Sequence, residues 1–143
     1  MGYLELSTTE LAKIVSSAFA VDITNAKGLS NGISFDIEPG IKLLPKTIPL
    51  KIVFVEFDDE NEILIFEILP NKDSRILRKS FGLMMKTLPK LLSDDMPEGI
   101  ELENNYLYIM PSEIFYQPGV EIYITDAKLK SRKLQISFDI DYE

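Results

Sequence analysis

The segment at 133–142 alternates apolar and polar side chains without interruption. Its apolar positions are Leu134, Ile136, Phe138 and Ile140, with Gln135, Ser137, Asp139 and Asp141 between and after them. A period of two places the apolar set on one face of a β-strand, whereas a helix would spread it around its circumference. The segment is therefore predicted to be a strand with one buried face.

Similar segments occur earlier, and short polar turns join them in pairs, as in β-hairpins. In the first pair, Glu38-Pro39-Gly40 suits a type II turn, which would join a strand at 33–37 to a return strand at 41–44. The predicted hairpins cover residues 33–44, 50–69, 99–110 and 120–142.

Two amphipathic helices are also predicted. Ser7 and Glu10 form a capping box ahead of apolar residues spaced by three and four over 8–20. Asp73 or Ser74 can cap a second helix over 73–88, which Pro89 ends. Together with the hairpins, these helices predict the α+β class, with antiparallel sheets and two amphipathic helices packed on them.

The two halves of the chain repeat the same order of elements. Residues 50–54 correspond to 120–124 at a distance of 70 positions, and Pro45 and Pro49 correspond to Pro111 and Pro118. We interpret this as a duplicated α-β-β-β-β unit within one domain, with repeats at about 7–70 and 73–143. Chance similarity between alternating strands is the other explanation.

The hairpin over 50–69 is apolar on both faces, unlike the hairpin over 120–142. The second face requires a cover, which can be another part of the chain, a second copy in a homodimer, or an apolar small molecule. The residues predicted to form this interface or ligand face are Val53, Val55, Phe57, Leu64 and Phe66.

Composition restricts the chemistry, because cysteine, histidine and tryptophan are absent. Disulfides, Cys/His metal sites and histidine-activated nucleophiles are thereby excluded. Asp36 and Asp139 are candidate acid/base groups, and the turn at 58–62 is a candidate cation ligand, but both patterns are typical of solvated surfaces. We therefore assign no catalytic, cofactor-binding or metal-binding residue, and the composition disfavours an enzyme.

Charge gives a second indication. The 23 acidic and 15 basic residues give a net charge of −8, which disfavours nucleic acid as a partner. Four bases lie on the predicted helix 73–88, where they form either a strip for an anionic group or acidic partner protein, or an ordinary solvent face. These residues are Arg75, Arg78, Lys79 and Lys86.

The sequence also carries expectations about location. The first ten residues lack the basic and apolar regions of a signal peptide, and no apolar run approaches the roughly 20 residues of a membrane span. We therefore expect a cytoplasmic protein without a membrane span.

The segments Ile48–Ile68 and Pro118–Ile140 each place alternating aliphatic residues around a turn. A helix laid on such long hairpins resembles the half-modules of tubular lipid-binding (TULIP-like) proteins. The resemblance covers the pattern of most of the chain, includes no diagnostic motif and assigns no residue a role. It implies a curved antiparallel fold of the kind that holds lipids.

The first functional hypothesis is a non-enzymatic binding or protein-interaction module. Such a module would self-associate or hold an apolar ligand between helices and sheet. The alternatives are a small enzyme that uses carboxylate or lysine chemistry, and a regulatory subunit that docks an acidic partner through helix 73–88.

Overall fold

A computed structural model of the chain describes residues 2–18, 22–38, 40, 46–71, 79, 82, 86, 98–114 and 117–142. Within this part the protein is α+β and consists mostly of antiparallel sheet. Its elements are β1 (Gly2–Ser7), α1 (Thr8–Ala18), β2 (Asp22–Gly28), β3 (Gly32–Glu38), β4 (Ile48–Asp58), β5 (Ile63–Pro70), β6 (Ile100–Glu103), β7 (Tyr106–Ile109), α2 (Pro111–Ile114), β8 (Val120–Lys130) and β9 (Lys133–Tyr142).

Six strands form one sheet in the order β2-β3-β4-β5-β7-β6. The hairpins predicted over 50–69 and 99–110 are confirmed as β4–β5 and β6–β7. β4–β5 lies in the middle of the sheet, with β3 on one side and β7 on the other. Both edges of this hairpin are therefore hydrogen-bonded.

The first predicted hairpin is wrong in its pairing. The strand predicted at 33–37 exists as β3, but its neighbours are β2 and β4. Both edges of β3 are thereby occupied, so it does not pair with a return strand at 41–44, and residues 41–44 themselves lie outside the described part. The sequence pattern did not predict β2, because this strand is mostly polar and its register with β3 shifts between Thr24 and Lys27.

Three strands form a second sheet in the order β1-β9-β8. The hairpin predicted over 120–142 is confirmed as β8–β9. β1 was not predicted, although it pairs with β9 from Gly2 opposite Phe138 to Ser7 opposite Lys133. β1 and β8 are the edges of this sheet.

The capping box at the start of α1 is confirmed. The Ser7 Oγ accepts the Glu10 backbone N–H at 3.1 Å, and the Ser7 N–H donates to the Glu10 carboxylate at 3.4 Å. The Thr8 N–H donates to the Arg132 carbonyl at 3.0 Å. Ser7 therefore ends β1 and caps α1, and the helix starts against the turn between β8 and β9.

The second predicted helix, 73–88, lies almost wholly outside the described residues. Lys79, Gly82 and Lys86 are described, and each is helical and exposed. The short helix α2 was not predicted. Neither α1 nor α2 is long or apolar enough to cross a membrane, and the same holds for any helix within the described ranges.

One hydrophobic core joins the two sheets and α1. Its most enclosed side chains include Ile48, Ile52 and Leu64 of the larger sheet and Leu134 of the smaller one. Leu11 and Ala12 add the buried face of α1. The smaller sheet adds Ile124, Ala127, Leu134 and Ile136 to this core.

The two long hairpins contain matching β-bulges. The register of β4–β5 shifts at Val55, and that of β8–β9 shifts at Thr125, 70 positions later. Because a bulge inserts one residue, it reverses which side chains face inward along the rest of the strand. Accordingly, Ile124 and Ala127 are both buried although three positions separate them.

Candidate functional site

The inner face of the β1-β9-β8 sheet is buried at one end and open at the other. Along β9, Leu134 is 1% exposed, Ile136 is 4% exposed and Ile140 is 39% exposed, although all three belong to the same face. Along β8, Ile124 is buried while Ile122 and Val120 are half-buried. The alternating pattern predicts that all of these aliphatic side chains are buried. At the open end of the sheet they are instead accessible to solvent.

These side chains form an open groove of about 630 Å³, here called the apolar groove. Strands β1, β8 and β9 form its floor, and α2 with the turn after it forms one wall. The lining residues are Tyr3, Leu4, Pro111, Ile114, Gln117, Val120, Ile122, Ile124, Ile136, Phe138, Ile140 and Tyr142. Six large hydrophobic side chains are exposed in the described residues, and four of them line this groove: Tyr3, Ile114, Ile140 and Tyr142.

The sequence around α2 explains how that wall is held. Pro111 starts the helix, a position where the missing N–H costs nothing, and the Met110 carbonyl accepts the Ile114 N–H at 3.2 Å. Gly99 has a φ of 90° and approaches α2 so closely that a Cβ there would lie 2.7 Å from the Ile114 side chain. A side chain at position 99 would therefore strain the backbone and force Ile114 to shift, which explains the glycine beside this wall.

A tight turn over 117–120 leads into β8. The Val120 N–H donates to the Gln117 carbonyl at 3.2 Å, and Gly119 has a φ of 81°. Proline at the second position and a positive φ at the third are typical of a type II turn. The turn places Gln117 at the groove beside the start of β8.

A second depression of about 500 Å³, here called the acidic depression, adjoins the same part of β8. It shares Val120 and Ile122 with the apolar groove. Its other lining residues are Glu62, Glu98, Ser112, Glu113, Glu121 and Tyr123. Acidic groups from four separate parts of the chain therefore meet beside the apolar groove.

Two of these acids have defined partners. The Glu62 carboxylate accepts the Ile124 N–H, and the Glu121 carboxylate accepts the Tyr123 hydroxyl. The pKa of Tyr123 is raised to about 12, chiefly by its hydrogen bond to Glu121, with desolvation and the charges of Glu121, Asp141 and Glu62 adding to it. The hydrogen bond and the neighbouring negative charges both favour the neutral hydroxyl of Tyr123 over its phenolate form.

Tyr3 and Glu5 form a polar border on β1. The Tyr3 hydroxyl donates to the Glu5 carboxylate at 2.9 Å, and the Lys133 ammonium lies 3.1 Å from the same carboxylate. The Tyr3 bond, followed by the Lys133 bond, lowers the pKa of Glu5. Desolvation, followed by the bond to Glu5, raises the pKa of Tyr3.

The predicted interface residues do not share one surface. Leu64 and Phe66 are buried in the core, and Phe57 packs against that core. Val53 is half-buried, and Val55 at the bulge is 46% exposed. None of the five lines the apolar groove, so whether the outer face around Val53 and Val55 meets a partner stays a prediction.

The basic strip is described only in part. Lys79 and Lys86 are exposed, whereas Arg75 and Arg78 lie outside the described residues. The acidic turn at 58–62 is organised by its own hydrogen bonds, because the Asp58 carboxylate accepts the Asn61 side-chain N–H at 2.9 Å. Within the described ranges, no three carboxylates gather closely enough to hold a metal ion.

The remaining candidate carboxylates lie on strands. Asp36 is half-buried on β3 and accepts the Asn25 side-chain N–H at 2.9 Å. Asp139 is exposed on β9. Neither lines the apolar groove or the acidic depression.

Sequence reasoning missed the apolar groove. Alternation identified the inner face of β9 correctly, but it cannot show that cover ends between Ile136 and Ile140. The unpredicted strand β1 and the unpredicted helix α2 supply the rest of the lining. One signal was present in the sequence, namely the aromatic residues Tyr3 and Tyr142 near the two ends of the chain.

Comparisons of the chain with protein-family models, with curated proteins and with solved structures find no match.

Proposed function

We propose that the protein is a non-catalytic binding module and that the apolar groove is its ligand site. One observation carries the proposal: a single apolar sheet face is closed at Leu134 and open at Ile140. Apolar surface left in water costs free energy, and a bound apolar ligand would recover part of that cost.

The shape of the groove favours a small molecule. Sites for small ligands are concave, mostly apolar and roughly 300–1,000 Å³ in volume. The groove, at about 630 Å³, falls within that range, and aliphatic and aromatic side chains supply most of its lining. Gln117 and the hydroxyl of Tyr142 supply the few polar groups that would orient a ligand.

The enzyme alternative has less support. An acid/base catalyst operates best with a pKa near neutrality. Among the described residues, the displaced pKa values belong to Tyr3, Glu5, Asp58 and Tyr123, and each is moved further from neutrality. The regulatory alternative depends on helix 73–88, and it stays a prediction, as does the cytoplasmic location.

The duplication is part of the proposal as well. The matching bulges at Val55 and Thr125 support a common origin for β4–β5 and β8–β9, because a bulge at an equivalent position is a conserved structural feature rather than a consequence of alternation. In this proposal the first copy, β4–β5, packs in the core, and the second copy, β8–β9, binds the ligand.

Two matched variants test the binding site. Ile140→Asn places an amide in the apolar groove, whereas Val55→Asn makes a similar change on the other sheet at a comparably exposed position. The probe is Nile red, a neutral apolar dye, and circular dichroism checks that both variants fold. We expect the wild type and Val55→Asn to bind the dye, and Ile140→Asn to bind it at least about fivefold more weakly.

Equal binding by the two variants would place the dye elsewhere and overturn the proposed site. Native mass spectrometry of the purified protein completes the test. A monomer that retains a small molecule supports the proposal, whereas a dimer that Ile140→Asn dissociates would identify the groove as an interface between copies.

A further inference from the structure

The apolar groove and the acidic depression adjoin at β8. Both are lined by Val120 and Ile122, so a ligand that covers these two residues reaches both depressions. The four glutamates come from the β4–β5 turn, the approach to β6, α2 and β8, and among the described residues no lysine or arginine lines the acidic depression. An apolar surface of ligand size therefore ends at a negatively charged one.

The negative charge is concentrated where the two depressions meet. Tyr123 lies on β8 directly after Ile122, and its pKa is raised first by its hydrogen bond to Glu121 and by desolvation, with the charges of Glu121, Asp141 and Glu62 adding to the shift. A cation placed there would gain from the same field, whereas an anion would be repelled.

A second copy of the chain fits this region poorly. Each chain carries a net charge of −8, and a symmetric contact along β8 would bring Glu121 and its acidic neighbours close to the same residues of the other copy. Like charges brought together in a contact are destabilising.

An extended peptide added to the edge of β8 is also disfavoured. Strand addition requires free backbone groups along the edge. The Val120 N–H already donates to the Gln117 carbonyl, and the Ile124 N–H already donates to the Glu62 carboxylate. Where β8 borders the two depressions, only the short stretch between Val120 and Ile124 remains for a ladder, so an incoming strand would form few backbone hydrogen bonds there.

We propose that the ligand of the apolar groove is a small amphipathic cation, with an aliphatic chain over Val120, Ile122 and Ile140 and an ammonium-type head against Glu113 and Glu121. This inference rests on the proposed function, because it assigns a ligand class to the same groove. The chain supplies hydrophobic contact, and the head group supplies the charge that the acidic depression complements.

The test compares decylamine, decanol and decanoate, which share a ten-carbon chain and differ in charge. Each is titrated into the wild-type protein by isothermal calorimetry at low salt and neutral pH. We expect decylamine to bind about tenfold more tightly than decanol, and decanoate to bind most weakly. Raising the ionic strength should reduce the preference for the amine and leave decanol binding nearly unchanged.

Two double variants test which carboxylates cause the preference for decylamine over decanol. Glu113→Gln with Glu121→Gln removes two charges from the acidic depression. Glu101→Gln with Glu103→Gln removes two exposed charges from β6, outside both depressions, and so has the same effect on net charge. The first pair should bring decylamine binding close to that of decanol, and the control pair should leave the amine preference in place.

The outcomes separate the two proposals. If none of the three probes binds, the proposed function itself fails. If decanol binds but decylamine gains nothing, or if both double variants behave alike, the groove stands and its assignment to a cationic ligand is overturned. Displacement of decylamine by a far tighter basic peptide would also overturn that assignment, because the site would then be a peptide site.

Discussion

The hairpins β4–β5 and β8–β9 share one plan and differ in their surroundings. Each begins with a strand of 11 residues, and each has a bulge at the equivalent position. β4–β5 is paired on both sides, and its inward side chains are buried except for Phe54 and Phe57 near the turn, which are half-buried. β8 is an edge strand, and the inward side chains of β8–β9 are buried only near the turn.

The comparison shows that alternation fixes which face of a strand is apolar but does not fix what covers it. In β4–β5 that face became part of the core. In β8–β9 the same kind of face continues past the end of the core and forms the apolar groove. A difference in neighbours, more than a difference in sequence pattern, separates the structural hairpin from the one proposed to bind ligand.

The largest expected effect on the free energy of unfolding comes from a core substitution in β4–β5, the enclosed hairpin. Leu64 of β5 is 2% exposed, so Leu64→Ala should leave a cavity and lower the free energy of unfolding by about 2–5 kcal/mol. Urea denaturation measures this change. A loss below about 1 kcal/mol would mean that the site relaxes and that β4–β5 is not the rigid half of the comparison.

The second prediction concerns the two ends of β9. Leu134→Ala should cost about 2–4 kcal/mol, because Leu134 is 1% exposed, whereas Ile140→Ala should cost less than about 1 kcal/mol. Both variants are measured by urea denaturation under the same conditions. Similar losses at the two positions would contradict the division of this face into a closed end and an open end.

A third prediction concerns the turn of the hairpin β8–β9. Ser131 and Arg132 have φ values of 55° and 62°, which are typical of a two-residue type I′ turn that favours Asn-Gly. Ser131→Asn with Arg132→Gly should therefore raise the free energy of unfolding by about 1 kcal/mol. Thermal denaturation checks this, and a lower melting temperature would show that the turn depends on contacts of the original side chains.

The smallest expected effect is at the turn of the enclosed hairpin. A hydrogen bond from the Asn61 side chain, followed by backbone N–H groups, lowers the pKa of Asp58 from 3.8. A lowered folded-state pKa gives stability that is present above pH 3.8 and is lost as the pH falls through the lower folded value.

Asp58→Asn should therefore be slightly less stable than the wild type at neutral pH, and the difference should narrow in acid. Urea denaturation over a series of pH values measures it. A difference that stays constant from neutral pH into acid would show that the carboxylate charge contributes nothing at this turn.

Sequence reasoning recovered the elements that local patterns determine. The capping box of Ser7 and Glu10, the hairpins β4–β5 and β6–β7, and the alternation of β8–β9 all follow from periodicity and turn residues close together in the chain. The α+β class follows from the same signals.

The misses are those that depend on distant parts of the chain. β1 has only Leu4 and Leu6 as inward residues, and its partner β9 lies more than 120 positions away. β2 is polar and irregular, so its neighbour β3 was given the wrong partner. The apolar groove requires β1, α2 and the open end of β9 together, and no local pattern contains that information.

The most direct test of the central claim is a methyl NMR titration with decanol on protein labelled at the isoleucine δ1 positions. Isoleucines lie in both regions, so the protein contains its own control. The account predicts shifts at Ile114, Ile122 and Ile140, which line the apolar groove, and none at Ile48, Ile52 and Ile68 in the enclosed hairpin. Shifts confined to the enclosed hairpin, or none at Ile140 while decanol binds, would contradict a ligand site at the open end of the smaller sheet.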